Sequence, residues 1–547
     1  MKQYHDVGLD YLRKILLAPV YDVAVETDLT PLTKLSARLK QNIFLKREDQ
    51  QPVHSFKLRG AYNKLVSLTE QQCIHGVIAA SAGNHAQGLA LAAQKLGIKA
   101  TIVMPITTPD IKVDNVRRFG AEVRLIGKSY NEAQTASLEY ARDEQKTMIH
   151  PFDDQDVIAG QGTVAKELLQ QQPHVDVVFV PVGGGGLLAG MAVYLKQLKP
   201  EIKIIGVEAQ DSACLAAAMK AGKPVDLDQV GIFADGVAVK RIGTHTFDLI
   251  QRFCDEVITV NSDEICAAIK DIFEQTRVIA EPAGALSLAG LHKYCLQQDS
   301  QENNTMQNMV AILSGANMNF HSLRYVSERC ELGEQKEAIL AVTIPEQKGS
   351  FRKFCQSLGG RVITEFNYRY SGKKSSDNTD KSANEAKIFV GVRLSGEQSE
   401  HQALIDSLTT ANYQVNDFTN NELAKLHVRY MVGGNGNVGS LEPKESLEPQ
   451  KSLKQIDSPD KIAQERIFSF EFPEYPGALE NFLDTLGEHW NITLFHYRNH
   501  GAAFGQVLAG FEVNNEQQLD FFRHLKELGY QYKEETQNPS YQAFLAG

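Results

Sequence analysis

The chain has few cysteines, and no pattern joins them. It contains seven in 547 residues, and no two form a C-x-x-C pair. An odd, scattered set argues against a disulfide framework and against a zinc site built from paired thiolates. This usage is typical of the reducing cytosol, so we expect a cytoplasmic protein without a structural metal.

Long apolar runs and an excess of positive charge are also missing. No stretch approaches the roughly 20 apolar residues that span a bilayer. The short run Ile15–Val20 is too mixed for the core of a signal peptide. The formal net charge is −11, whereas nucleic acids and anionic membranes attract basic patches. The sequence therefore predicts no nucleic-acid partner and no membrane partner.

The first part of the chain predicts an α/β fold. From about residue 30 to residue 325, short β-branched runs alternate with helix-like stretches. Continuous apolar strands in such an alternation indicate parallel sheets covered on both faces. We expect two lobes with a ligand between them. The predicted strands are Val77–Ala80, Lys99–Met104, Glu122–Ile126, Val175–Val182, Ile202–Glu208, Glu256–Val260 and Met309–Leu313. The predicted helices include Gln87–Leu96, Asp110–Arg118, Tyr130–Glu144 and Gly185–Leu198.

The last 210 residues or so contain an internal duplication. The segment Ile339–Gly349 resembles Ile467–Gly477, and Phe366–Arg369 resembles Phe495–Arg498. Each copy predicts an α+β unit of βαββαβ order. The predicted domains are residues 1–330 (two lobes), 338–432 (first α+β unit), 433–461 (polar linker) and 462–547 (second α+β unit). Cys330–Glu337 is expected to join the first part to the tail, and 371–386 to form a polar loop.

Lys57 is the first candidate for chemistry. It lies in the run Ser55-Phe-Lys-Leu-Arg-Gly60. A free lysine amine is mostly protonated at neutral pH, but burial lowers its pKa and allows a Schiff base with an aldehyde. Most lysines are solvated surface residues. The case for Lys57 therefore depends on the small-residue motifs that follow three other strands.

Four consecutive glycines follow the strand that ends at Val182. Backbone NH groups at a helix N-terminus bind phosphate, and glycine allows close approach. Gly184–Ala189 also satisfies the G-x-G-x-x-A dinucleotide fingerprint, and Glu208 closes the next strand where a ribose-binding acid would lie. That alternative leaves Lys57 unexplained.

Two further polar turns follow apolar strands. Ser81-Ala-Gly-Asn-His-Ala-Gln-Gly88 offers backbone NH groups and a hydroxyl to a carboxylate, and Asn84 can bond a phenolic oxygen. His85 is either a general base or, more commonly for a lone histidine, a residue that orients the loop. Ser314, in Ser314-Gly-Ala-Asn317, is either a turn serine or a cofactor contact.

Five segments together resemble the threonine/serine dehydratase branch of the fold-type II pyridoxal-phosphate enzymes, which resemble the tryptophan synthase β subunit. These segments are Ser55–Ala61, Ser81–Gly88, Gly183–Leu187, Ala234–Val239 and Glu281–Ala285. The duplicated tail resembles the paired ACT-like regulatory units of biosynthetic threonine ammonia-lyases. The resemblance implies a two-lobed catalytic domain with parallel sheets, followed by two α+β regulatory units.

The resemblance also implies roles for individual residues. Lys57 holds pyridoxal 5'-phosphate and acts as the base at the substrate α-carbon. The other cofactor-binding residues implied are Phe56, Asn84, Gly183, Gly184, Gly185, Gly186, Leu187 and Ser314. The residues implied to seat the substrate carboxylate are Ser81, Ala82, Gly83, Asn84 and His85.

The implied reaction is β-elimination and deamination of L-threonine to 2-oxobutanoate and ammonia, the first step of isoleucine biosynthesis. A neutral Ser314 hydroxyl facing the pyridine nitrogen makes the ring a weaker electron sink, which favours loss of the β-substituent. Ala82 replaces the second serine of racemases of this fold and so disfavours racemisation. Glu208 matches one racemase cation ligand, but Cys214 replaces a second acid and disfavours a divalent site.

The resemblance further implies feedback by a small amino acid, with isoleucine the family expectation, and a homotetramer. L-serine is expected as a secondary substrate. Two alternatives remain open from the sequence. One is a serine-preferring dehydratase, and the other is a dinucleotide-binding regulatory protein that uses Gly184–Ala189.

Overall fold

The computed structural model describes residues 2–298, 306–345, 350–359, 361–369, 385–396, 398–426, 428, 464–473, 481–482, 485–486, 489–490, 492–498 and 504–544. The chain forms two compact units that divide between Gly333 and Glu334. In the described ranges, no helix is both long and apolar enough to cross a bilayer.

The first unit contains two sheets, and their strands are short and apolar. The strands are β1 (Leu29–Pro31), β2 (Asn42–Arg47), β3 (Val77–Ala80), β4 (Ala100–Met104), β5 (Glu122–Leu125), β6 (Thr147–Met148), β7 (Val177–Pro181), β8 (Lys203–Ala209), β9 (Glu256–Val260) and β10 (Asn308–Leu313). The six-stranded sheet has the order β1-β2-β10-β7-β8-β9, and the four-stranded sheet has the order β5-β4-β3-β6.

Both sheets are parallel apart from the edge strand β1, which pairs with β2 in the antiparallel direction. Every residue of β3, β4 and β7 is buried. Strands buried on both faces need apolar side chains at consecutive positions, which explains their continuous β-branched runs. The predicted α/β class with two parallel-sheet lobes is confirmed.

Helices cover the sheets of the first unit. They span Lys2–Leu17, Thr33–Leu39, Lys57–Val66, Glu70–His75, Asn84–Leu96, Asp110–Arg117, Tyr130–Asp143, Gln155–Gln171, Gly186–Leu198, Cys214–Ala221, Thr244–Phe253, Ser262–Thr276, Pro282–Gln298 and Leu323–Gly333.

Most predicted boundaries lie within two residues of the observed ones, and two differ by more. The helix expected from Gln87 begins at Asn84, because the polar turn supplies its first turn and the NH of Ala86 bonds the carbonyl of Gly83. The stretch expected to be a connection from Cys330 is helical up to Gly333, and only three residues separate it from the next strand.

The second unit contains two four-stranded antiparallel sheets. Its strands are β11 (Glu337–Pro345), β12 (Ile363–Arg369), β13 (Glu385–Arg393), β14 (Gln414–Asp417), β15 (Gln464–Pro473), β16 (Ile492–Arg498), β17 (Phe504–Val513) and β18 (Gln531–Glu534). Its helices span Ser350–Ser357, Gln398–Thr410, Glu422–Leu426, Gln518–Leu528 and Pro539–Phe544. The sheet orders are β12-β13-β11-β14 and β16-β17-β15-β18.

The two sheets of the second unit repeat each other in detail. Each has a register irregularity at the same point, between Ile363 and Glu365 in one sheet and between Ile492 and Leu494 in the other. The expected duplication is therefore visible in the strand order and in the pairing. The linker 433–461 and most of the polar loop 371–386 lie outside the described residues, as do the turns after Pro345 and Pro473.

Equivalent residues of the two copies meet within the second unit. The side-chain amide of Asn421 donates to the side-chain oxygen of Asn538 at 3.1 Å. Each asparagine follows the last strand of its copy and accepts a backbone NH at 3.0 Å, from Ala424 and from Ser540 respectively. A contact between equivalent positions indicates a local pseudo-twofold arrangement of the copies.

Candidate active site

The carboxyl ends of β7 and β10 lie side by side because these strands are parallel neighbours. The glycine run follows β7, and Ser314 follows β10. Gly315 pairs with Ser55 through an isolated antiparallel bridge. The NH of Phe56 donates to the carbonyl of Ser314 at 3.2 Å. These bonds fix the start of the helix that carries Lys57 against the edge of the larger sheet.

The Lys57 side chain begins in the first turn of that helix and ends at a backbone carbonyl. Its Nζ donates to the Pro151 oxygen at 3.0 Å and lies 5.4 Å from the centre of the Phe56 ring. Burial lowers the pKa of the Lys57 amine to about 8, although the nearby Glu281 carboxyl acts in the opposite direction. An amine that is partly neutral near pH 7 can attack an aldehyde or accept a proton.

The glycine run opens the helix Gly186–Leu198. Gly185 is the N-cap residue, with a φ of +88° that other residues rarely adopt. Over the described part of the chain, none of the NH groups from Gly183 to Gly186 donates to a backbone carbonyl. The carbonyl of Gly184, in contrast, accepts from the Thr246 hydroxyl at 2.8 Å. The run therefore presents donors without acceptors at a helix N-terminus, as an anion site does.

A side chain on this run would close the space around it. A Cβ atom on Gly184 would overlap the ring of Phe152, and one on Gly183 would lie 3.0 Å from the Cα of Val237. Within the described residues, the buried hydroxyl of Ser55 has no hydrogen-bond partner. Free NH donors, an unpaired hydroxyl and a partly neutral lysine together fit an aldehyde cofactor with a phosphate group.

The other predicted cofactor contacts lie at the same edge. Ser314 is buried, and its hydroxyl donates to the carbonyl of Ala283 at 3.3 Å. Asn84, the first residue of its helix, donates to the Glu281 carboxyl at 2.6 Å. Its side-chain oxygen accepts from the Asn317 amide at 2.7 Å. The structure thus brings Ser314 and Asn84 into one hydrogen-bonded region around Glu281 and Gly315.

The predicted substrate residues form the turn between β3 and the helix Asn84–Leu96. The NH of Gly83 donates to the Ser81 hydroxyl at 3.3 Å, and the space beside Gly83 is open. Ala82 is part of the same half-buried turn. His85 is buried, and its Nε2 lies 3.1 Å from the Ile149 carbonyl. Burial and the nearby Lys57 amine lower the pKa of His85 to about 3. A neutral ring bonded to a carbonyl orients the loop, which favours that interpretation over the general base.

The dinucleotide alternative depends on Glu208, and the structure places this residue unfavourably for it. The carboxylate is fully buried and accepts the NH groups of Leu215 and Ala216 at 2.7 and 2.8 Å. Burial raises the pKa of Glu208 to about 7. The Glu208 carboxylate therefore caps the start of the neighbouring helix Cys214–Ala221 and is not placed to accept a hydrogen bond from a ribose hydroxyl. In the described ranges, no group of three or more His, Cys, Asp or Glu side chains could hold a metal ion.

Sequence reasoning missed several residues of this region. Glu281 and Asn317 contact Asn84, while Phe152 covers the glycine run and Asp235 lies near Glu281. Glu281 begins the motif Glu281–Ala285, and Asn317 ends the motif Ser314–Asn317. A polar residue at the end of each motif was therefore the one feature of the sequence that could have indicated these contacts.

Comparison with known proteins agrees with this geometry. Residues 20–315 match the family described as pyridoxal-phosphate dependent enzyme, and residues 328–428 and 458–545 match the C-terminal regulatory domain of threonine dehydratase. The biosynthetic L-threonine dehydratase of Salmonella typhimurium is 56% identical over 99% of this chain and 98% of its own length. The mitochondrial threonine dehydratase of Saccharomyces cerevisiae is 47% identical over 98% of this chain and 89% of its own length.

Solved structures of pyridoxal-phosphate enzymes match somewhat more than half of the chain. The processed form of threonine deaminase isoform 2 from Solanum lycopersicum is 48% identical, with a TM-score of 0.58, and the match covers 60% of this chain and 89% of that one. Maize serine racemase is 31% identical, with a TM-score of 0.54, over 58% of this chain and 96% of that one. The chain therefore belongs to the pyridoxal-phosphate-dependent enzymes and, within them, to the biosynthetic threonine dehydratases that carry a C-terminal regulatory domain.

Proposed function

We propose that this protein deaminates L-threonine to 2-oxobutanoate and ammonia, as the first step of isoleucine biosynthesis. The observation that carries the proposal is the partly buried Lys57 amine, 3.0 Å from the Pro151 carbonyl, in the same unit as a glycine run whose NH groups bond no backbone carbonyl of the described residues. Burial lowers the pKa of this amine to about 8. The whole chain, over 99% of its length, is 56% identical to a biosynthetic threonine dehydratase.

Lys57 and the glycine run have separate tasks in this proposal. When bound, pyridoxal 5'-phosphate supplies an electron-withdrawing ring that stabilises negative charge on the substrate α-carbon. Lys57 would hold the cofactor through Nζ, and the same nitrogen, when neutral, would take the α-proton of the substrate. The NH groups of Gly183, Gly184, Gly185 and Gly186, followed by Leu187, receive the phosphate.

The remaining predicted residues orient the cofactor and the substrate. Phe56 would line the cofactor ring, and Asn84 would donate a hydrogen bond to the ring hydroxyl oxygen. The uncharged Ser314 hydroxyl would face the ring nitrogen. A neutral partner at that nitrogen favours departure of the β-hydroxyl over a long-lived carbanion. The turn from Ser81 to His85 seats the substrate carboxylate at the N-terminus of its helix.

Substrate choice is tested by comparing L-threonine with L-serine. The two differ by one methyl group, and such a difference is worth about 1–3 kcal/mol, or roughly 10- to 200-fold in kcat/KM. We expect kcat/KM to favour threonine by a factor in this range, with 2-oxobutanoate as the product. Coupled reduction of the 2-oxo acid measures both rates. A higher kcat/KM for serine would support the serine-preferring dehydratase instead.

We also propose how the enzyme is regulated and organised. Its regulatory unit responds to a small molecule, and we infer that this effector is isoleucine, that the protein is a homotetramer and that it is cytoplasmic. The domain boundaries remain those predicted, at 1–330, 338–432 and 462–547 with a linker at 433–461. The turns Pro345–Gly349 and Pro473–Gly477 are the proposed effector positions. An effector acts only if it binds one conformational state better than another.

Deleting residues 338–547 should leave an active enzyme that isoleucine no longer inhibits. The reason is that Lys57, the glycine run and Ser314 all belong to the first compact unit. Initial rates with threonine, measured across an isoleucine titration, compare the truncated and full-length proteins. The midpoint of thermal unfolding checks that the truncated protein is folded. Continued inhibition of a folded, active truncation would place the effector site in the catalytic unit.

A further inference from the structure

A chain of hydrogen bonds leads from a backbone carbonyl to the Glu281 carboxyl. The side-chain nitrogen of Asn317 donates to the Val53 carbonyl at 2.8 Å and to the side-chain oxygen of Asn84 at 2.7 Å. The side-chain nitrogen of Asn84 then donates to Oε1 of Glu281 at 2.6 Å. Four segments far apart in sequence are therefore connected through the side-chain amides of Asn84 and Asn317.

The Val53 carbonyl fixes the direction of every hydrogen bond in this series. A backbone carbonyl can only accept, so the group that faces Val53 must be the nitrogen of Asn317. Both of its N–H groups are then used as donors, and Asn84 must present its oxygen to Asn317. The nitrogen of Asn84 consequently faces Glu281. That nitrogen has two N–H groups, and Glu281 receives one of them.

Glu281 is held in a small space between glycines. It is buried, and a Cβ atom on Gly315 would overlap its Oε1. Oε1 also lies 3.8 Å from the position of a Cβ atom on Gly236. Burial first, and then the neighbouring Asp235 carboxyl, raise the pKa of Glu281 to about 7. Lys112 lowers it and is itself paired with Asp235 at 2.6 Å. Such a confined carboxyl has little freedom to turn away from Asn84.

We propose that Glu281 is a positioning residue for the cofactor, because it fixes the amide of Asn84 so that the second N–H stays available for the hydroxyl oxygen of the cofactor ring. The inference rests on the proposed function, in which Asn84 contacts that oxygen. Glu281 acts through Asn84 and takes no part in proton transfer. Without an acceptor at position 281, the amide is held only from the Asn317 side and the donor is misaligned.

The test compares two ligands that differ only at the ring hydroxyl. Apoprotein is titrated with pyridoxal 5'-phosphate and with its 3-deoxy analogue, and Kd is measured from the visible absorbance or from quenching of protein fluorescence. We expect Glu281→Ala to weaken binding of pyridoxal 5'-phosphate by about 10-fold and binding of the 3-deoxy analogue by less than about 2-fold. Glu281→Gln keeps an acceptor oxygen, so both affinities should stay within about 3-fold of the parent values.

Matched variants separate positioning from general damage. Glu208→Ala removes another buried carboxyl whose pKa is also near 7 but which bonds only to a neighbouring helix. It should change both affinities by the same factor. Asn317→Ala releases the other side of the Asn84 amide and should reproduce the ligand-selective loss. This variant also provides the test if Glu281→Ala does not fold, as judged from thermal unfolding of the apoprotein.

The outcomes distinguish this inference from the proposed function. Equal weakening of both ligands by Glu281→Ala, or no weakening of either, would overturn the positioning role while leaving the enzyme assignment intact. Failure of the unsubstituted protein to bind pyridoxal 5'-phosphate, with no mass adduct on Lys57 after borohydride reduction, would instead remove the proposed function itself.

Discussion

Replacing Lys57 with alanine should lower kcat for threonine by about 1,000-fold or more, because one nitrogen is used twice. In the proposed function this nitrogen both holds the cofactor and accepts the α-proton of the substrate. Alanine can do neither. Lys57 lies at the start of its helix, and among the described residues its amine bonds a single backbone carbonyl, so the fold should survive the change. Single-turnover formation of 2-oxobutanoate measures the loss, and far-UV circular dichroism checks the fold.

Lys64→Ala is the matched control for this variant. Lys64 lies two turns further along the same helix and pairs with Asp154 and Asp156 at 2.8 and 3.2 Å. Partly exposed ion pairs contribute little, so kcat should remain within about 2-fold of the parent value. A Lys57→Ala protein that keeps a tenth or more of the parent kcat would remove Lys57 from its proposed role.

The sequence predicted the parts of the fold that depend on local pattern. The runs Val77–Ala80 and Glu256–Val260 appear as strands with the predicted bounds. Val77–Ala80 is buried at every position, and a parallel strand of that kind is apolar throughout. The glycine run was recognisable for a similar reason. Few side chains fit where a Cβ atom on Gly184 would overlap Phe152. The apolar strands and the glycine run together were enough to predict the fold class and to indicate that the candidate site lies at the carboxyl ends of the strands.

Contacts between segments that are distant in sequence could not be predicted in this way. Asn84 and Glu281 are 197 residues apart, and nothing in either motif indicates that they share a hydrogen bond. The meeting of Asn421 with Asn538 in the second unit is similarly invisible, although the duplication itself was read from the repeated Pro–Gly turns. Periodicity reports which face of an element is buried. It does not report which polar group lies opposite, since that depends on the packing of elements brought together by the whole fold.

Arg59 leads to the second large effect, which concerns stability. Its side chain is fully buried and bonds two fully buried carboxylates, Glu48 at 2.8 Å and Glu167 at 2.6 Å. Lys46 is also buried and pairs with Glu167 at 2.7 Å. Burial raises the pKa of Glu167, but Arg59 and Lys46 outweigh it and hold that pKa below its usual range. The network anchors the helix that begins at Lys57 to the helix Gln155–Gln171.

Arg59→Met should therefore reduce the free energy of unfolding of the catalytic unit by about 3–5 kcal/mol, because buried Glu48 loses the cation that it pairs with and buried Glu167 loses one of two. Urea unfolding followed through the absorbance of the bound cofactor reports on this unit alone. Adding Glu48→Gln to Arg59→Met removes the uncompensated carboxylate and leaves the pair of Lys46 with Glu167 in place, so it should restore part of the loss.

Arg142→Met is the matched control for the buried arginine. Arg142 pairs with Asp143 at 3.4 Å, and both side chains are more than two-thirds exposed. A solvated pair of this kind contributes at most about 1 kcal/mol, so the urea midpoint should move little. If Arg59→Met unfolds at the same urea concentration as Arg142→Met, the buried network does not stabilise the catalytic unit. If the double variant Arg59→Met/Glu48→Gln is less stable than Arg59→Met alone, uncompensated carboxylate charge at Glu48 is not the cause of the loss, and packing or hydrogen bonding there matters more.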